Sequence, residues 1–223
     1  YNKSWKEWDR KLVAVETETG EVKWRISSVI LPGTLAVAED AAFFHNGKSI
    51  VALDKKTGKE KWTSRPVAAI DPEKGIPTGF MPSLAIDNGV IVFAGGRDYG
   101  QHMKGTTDRM VALDAKDGEI LWKAPHYPSG YQSPEDLLIV NDRVLAPFNT
   151  WLRAKGPDTN KLMGVDLETG RIAHDEKSNV EDPVWFIHHR CYPSKATANF
   201  LMTSKEGVEF IDQENWNWKI HHW

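Results

Sequence analysis

Ile50-Val-Ala-Leu-Asp-Lys-Lys-Thr-Gly-Lys-Glu-Lys-Trp62 is the stretch that decides the fold. An apolar, β-branched run leads into Asp54, whose carboxylate can cap a turn by accepting from the backbone just ahead of it. Four positions later Gly58 supplies the positive φ the turn needs, and a second strand runs on to Trp62. The stretch therefore reads as a β-hairpin, and it recurs. Residues 12–24 and 110–122 repeat it with Gly20, Trp24, Gly118 and Trp122 in place. Residues 162–174 form a fourth copy, with Gly170 kept and His174 where the others have Trp. A fifth copy at 208–220 keeps Val-Glu-Phe-Ile-Asp but carries Trp216 at the glycine position.

Two further strand-like runs precede each hairpin except the first. Residues 35–38 and 41–44 flank Glu39-Asp40, 84–86 and 90–94 flank Asp87-Asn88-Gly89, and 137–140 and 144–147 flank Asn141-Asp142-Arg143. Each unit thus holds four antiparallel strands, and a repeat of about 40–50 residues of that kind is a propeller blade. The fold expected is an all-β propeller in which residues 1–223 form a single segment. Too little chain precedes Leu12 for two inner strands, and the last copy runs close to Trp223. About three complete blades with partial blades at both ends are expected, as a piece of a larger ring.

Composition narrows the partners. Lys and Arg total 28 against 31 Asp and Glu, a formal charge of −3, and no basic stripe is present to neutralise a phosphate backbone, so nucleic acid is not expected. Nothing approaches the run of about 18 apolar residues that a membrane helix requires. The single cysteine, Cys191, excludes an internal disulfide and any Cys-x-x-Cys metal or haem motif.

The Val-Ala-Leu-Asp-x-x-Thr-Gly-x-x-x-Trp pattern at 51–62 resembles the PQQ-like (pyrroloquinoline-quinone-like) repeat of quinoprotein dehydrogenases and of the propeller lipoprotein in outer-membrane β-barrel assembly. Residues 125–137, with His188-His189-Arg190-Cys191-Tyr192 and Lys195-Ala196-Thr197, resemble segments of large PQQ-like propeller proteins of planctomycete-type bacteria. That likeness implies an exported, periplasmic-type setting and a propeller fold, but no particular reaction. The quinoprotein alcohol dehydrogenases carry PQQ over a calcium ion with an Asp as base, an adjacent Cys-Cys disulfide, and eight blades. One cysteine cannot make that disulfide, and 223 residues cannot make eight such blades.

Counting strands outward from the axis, the Asp-x-x-x-Gly turns and the short inner turns fall on one face, which reads as purely structural. The long connections at 63–81, 95–108, 123–134, 148–160 and 175–186 fall on the other, where binding groups are expected. The candidates there are Arg97 and Arg153 as anion clamps, and Glu135 and Asp136 as hard-cation ligands. Trp185 would be a cofactor platform, and His189 with Cys191 a His–thiolate metal pair. Each has a plain alternative. Exposed Arg is usually only solvated, two carboxylates fall short of calcium's six to eight oxygens, and His188 and His189 point to opposite faces of a strand. Trp24, Trp62 and Trp122, at equivalent blade positions, read as packing residues between blades.

No nucleophile–base pair, Gly-x-Ser-x-Gly or phosphate loop is present. The reading favours a non-catalytic binding or scaffold module of an exported bacterial protein. Its ligand, a protein or polymer partner, would sit on the long-loop face, with the remaining blades of a longer chain as neighbours. The alternative is a segment of a PQQ-dependent oxidoreductase, with PQQ and Ca²⁺ as cofactors.

Overall fold

The computed structural model describes residues 10–67, 81–95, 106–126, 137–147, 161–177, 194–203, 207–215 and 217–222. Those residues hold eighteen strands in five antiparallel sheets, each made of consecutive strands. A lone hairpin, β1 (Lys11–Val15) and β2 (Val22–Ser27), comes first. The first four-stranded sheet is β3 (Ala36–Ala38), β4 (Ala41–His45), β5 (Ile50–Asp54) and β6 (Glu60–Thr63). The second is β7 (Ser83–Asp87), β8 (Val90–Ala94), β9 (Thr106–Asp114) and β10 (Ile120–His126). The third is β11 (Leu138–Val140), β12 (Arg143–Pro147), β13 (Lys161–Asp166) and β14 (Ile172–Lys177). The fourth is β15 (Lys195–Ala196), β16 (Phe200–Thr203), β17 (Gly207–Asp212) and β18 (Trp218–His222).

The first strands of successive sheets touch one another, β3 with β7, β7 with β11 and β11 with β15, so they form the inner rim of an arc of blades. The sheets pack face to face. Strands β4 and β8 are buried along their whole length because a neighbouring blade covers each side. That is why Ala-Ala-Phe-Phe, ahead of the hydrogen-bonded His45, and Val-Ile-Val-Phe-Ala are continuously apolar rather than alternating.

One sheet more is complete than the repeat pattern led us to expect, since β15–β18 form a full fourth blade. Its first strand has only two residues, too short to stand out as an apolar run. The register differs too. Hairpins β1–β2, β5–β6, β9–β10 and β13–β14 each shift by a bulge, which puts Trp24, Trp62, Trp122 and His174 opposite Ala14, Ala52, Ala112 and Gly164. The β17–β18 pair has no bulge, so Lys219, not Ile220, lies opposite the equivalent Phe210. Counting along the sequence alone could not reveal this.

The lone hairpin turns its Leu12, Trp24 and Ile26 toward the first four-stranded blade. On its other face Val13 and Val15 are 43% and 50% exposed, whereas their equivalents Val51 and Leu53 are buried by the preceding hairpin.

Candidate functional site

Each joint between blades is built by the repeat itself. Asp54 Oδ1 accepts from the amides of Lys56 and Thr57 at 3.1 and 2.7 Å and from the Thr57 hydroxyl at 2.8 Å, which fixes the turn. Asp166 does the same with Thr169, at 2.7 Å from the amide and 2.6 Å from the hydroxyl. The Thr hydroxyl bond, then the Thr amide bond, holds both carboxyls below the usual Asp range.

The glycine that ends the turn is a seat for the tryptophan of the preceding blade. A Cβ at Gly58, Gly118 or Gly170 would stand 2.6, 2.6 and 2.5 Å from the ring atoms of Trp24, Trp62 and Trp122, and the φ values are +71°, +78° and +70°. Any side chain there would expel the indole. The indole N–H of each donates to the turn carbonyl of Lys55, Ala115 or Leu167, at 2.9, 3.1 and 2.9 Å. These tryptophans are thus inter-blade packing residues.

The inner turns complete the same face of the molecule. In every four-stranded blade the outer turn's amide, at Lys55, Ala115, Leu167 and Gln213, donates to the inner turn's carbonyl at Asp40, Gly89, Asp142 and Asn199. Blades are also tied to each other there. Asn88 Nδ2 donates to Asp142 Oδ1, and Asn141 Nδ2 to the Ala198 carbonyl, both at 2.7 Å.

At the joint between the third and fourth blades this pattern changes. The tryptophan register position on β14 is His174, and the glycine position is Trp216, which lies outside the described residues. A pocket of about 370 Å³ opens there, lined by the inner turns of both blades and the outer turn of the fourth: Asn141, Arg143, Asn199, Phe200, Gln213 and Glu214. Asp212 also lines it, but its Oδ1 is engaged by the amides of Glu214 and Asn215. The turn face, expected to be purely structural, therefore carries a pocket. The signal in the sequence is Arg143, which stands where the earlier blades place Ala41 and Val90, outside the repeated hairpin.

The residues singled out from the sequence fall elsewhere. Arg97, Glu135, Asp136, Trp185, His189 and Cys191, with Arg153 and His188, lie outside the described residues, as do most of the long connections. Among the described residues no group of three His, Cys, Asp or Glu could hold a metal ion, and no helix is long and apolar enough to cross a membrane.

Residues 8–97 match the family model described as outer membrane protein assembly factor BamB. The blades of this chain resemble the PQQ-like repeat over that stretch. Among curated proteins, this chain is 27% identical over 168 residues to the dehydrogenase subunit of the quinone-dependent alcohol dehydrogenase of Gluconacetobacter polyoxogenes. It is 24% identical over 172 residues to the same subunit from Acetobacter aceti. The first match covers 66% of the chain but only 22% of the relative, so the chain spans about a fifth of the length of these relatives. BamB from Moraxella catarrhalis superimposes with a TM-score of 0.54 at 16% identity, over 93% of this chain and 56% of that one. A europium-containing methanol dehydrogenase gives 0.53 at 14% identity, over 91% and 43%. At these identities the structural likeness establishes the propeller fold.

Proposed function

We propose that this chain is a rigid, non-catalytic propeller platform that binds a ligand or partner, and that it belongs to an exported bacterial protein. The observation that carries the reading is the contrast between joints. Three are sealed by a tryptophan seated on glycine, and at the fourth, where the repeat has His174 and Trp216 at those positions, polar turn residues line a pocket. A sealed joint serves only packing, so an open one in a repeat otherwise built to close is where binding is expected. The match to an outer-membrane assembly factor supports export and a protein or polymer partner. Arg97, His189 and Cys191 remain part of the proposal as groups of the long-loop face.

A second reading is favoured by the curated relatives, which are quinone-type alcohol dehydrogenase subunits. On that reading Glu135, Asp136 and Trp185 would hold PQQ and Ca²⁺, and PQQ would supply the redox chemistry. Calorimetric titration of the chain with PQQ, with and without Ca²⁺, separates the two. The platform reading expects no saturable heat; one site per chain would put the oxidoreductase first.

A further inference from the structure

The equivalent positions of the four complete blades can be compared directly, because their turns share the same hydrogen bonds. The first residue of the second strand in each blade is Ala41, Val90, Arg143 and Phe200. Ala41 and Val90 are buried against the next blade, in the clusters that hold Trp62 and Trp122. Arg143 occupies that position at the third joint and is half-buried there. The residue after the turn Asp is Ala115, Leu167 and Gln213 in the last three blades. Leu167 is part of the apolar cluster that holds Trp122, whereas Gln213, only 7% exposed, is polar. Both apolar sides of one joint have thus become polar, opposite one another, and the space between them is the pocket.

We propose that this joint is a saccharide-binding site, taking a neutral mono- or disaccharide; the inference rests on the platform reading above and names its ligand. The donors and acceptors set the class. Arg143 has no side-chain hydrogen bond or ion pair among the described residues, so its guanidinium offers a fork of donors to the pocket. The Glu214 carboxylate accepts, Asn199 does both, and the amides of Asn141 and Gln213, each giving an N–H to the carbonyl of Ala198 or Thr197, have oxygens that can accept. An anion would meet Glu214 and Asp212, and a cation would meet Arg143. Hydroxyls, each a donor and an acceptor, suit a mixed set of this kind. Phe200, held edge-on by Phe210 with centroids 6.0 Å apart, supplies the apolar patch that the C–H face of a sugar ring needs. The volume lies at the lower end of the ~300–1,000 Å³ typical of small-molecule sites.

The test is calorimetric titration of the chain with glucose, N-acetylglucosamine and lactose, against glucuronate and succinate, repeated on Arg143→Val, Gln213→Leu and Asn199→Ala. The first two restore the apolar residue types of the Val90–Leu167 joint; Arg143→Val is expected to raise the melting midpoint by about 2–4 °C, whereas Gln213→Leu also gives up the bond to the Thr197 carbonyl and is expected to leave it unchanged to within about 2 °C. The third alters only an exposed turn and guards against a refolded joint. Saturable binding of a neutral sugar, weakened about tenfold or more by each variant, is the expected result. Neutral-sugar binding that all three variants leave unchanged would overturn the inference by placing the sugar elsewhere. Arg143-dependent binding of succinate without any neutral sugar would overturn the ligand class while leaving the platform reading intact. No binding of any probe would overturn the site and remove the platform reading's main support.

Discussion

Replacing Gly170 and Trp122 by Ala, singly and together, tests the joint that organises the whole molecule. Trp122 is buried and donates to Leu167, and its truncation is expected to cost about 3–5 kcal/mol, the usual range for a large buried aromatic. Gly170→Ala carries two penalties. The +70° φ strains any L-residue by about 1 kcal/mol after the entropic gain from losing glycine. The new methyl would stand 2.5 Å from the Trp122 ring, and displacing the indole adds about 1–3 kcal/mol. Once Trp122 is gone only the strain remains, so the double variant should lose about 4–6 kcal/mol, short of additivity by about 1–3 kcal/mol. Gly20→Ala is the internal control. Its turn has the same bond from the glycine amide to the Glu16 carbonyl and a φ of +74°, but nothing lies within 4 Å of the new methyl, so about 1 kcal/mol is expected. Urea unfolding midpoints at constant m-value read all four. Additivity within about 0.5 kcal/mol would mean that the indole does not sit on the glycine, and the account of the joints would fail.

His45 is buried, stacked on Phe93 with centroids 4.8 Å apart, and hydrogen-bonded through both ring nitrogens. Nε2 donates to the Val67 carbonyl at 2.7 Å, and Nδ1 accepts from the Gly47 amide at 2.9 Å. Burial pushes its pKa below the ordinary value, with the Val67 bond opposing in part. The unfolded chain therefore takes up the proton first. The stability from neutral His45 is complete above the unfolded pKa of about 6.5 and is lost as pH falls below it toward the folded value. NMR titration should put the imidazole midpoint below that of a free histidine; a midpoint above it would refute the assignment. Glu39 adopts φ +41° in the Glu39-Asp40 inner turn, a position that suits Asn, as at Asn88 and Asn141. Glu39→Asn should raise the unfolding free energy by about 0.5–1 kcal/mol, and a loss would show that the Glu side chain supports the turn.

The hairpins were legible because their turn chemistry is local. An Asp that caps, a Gly with positive φ and a Trp eight residues after the Asp each declare themselves within one short window, and β5–β6 and β9–β10 lie where that window puts them. The fourth blade was harder, since it has neither the Gly nor the Trp and one of its strands is two residues long. Its turn is held instead by Asp212 Oδ1 on the Glu214 and Asn215 amides. The polar joint was written in the chain as Arg143 and Gln213, but each is unremarkable alone. Only registering strand against strand shows that both replace an apolar partner across one gap.

Each indole reaches forward, from the outer strand of one blade to the turn of the next, and never back. The connection therefore has a direction, and it matches the direction in which a ribosome delivers the chain. A hairpin that has just emerged carries an indole with no seat, and the blade that follows provides one as soon as its own outer turn closes. Synthesis from the N-terminus would thus fasten the first three joints one after another.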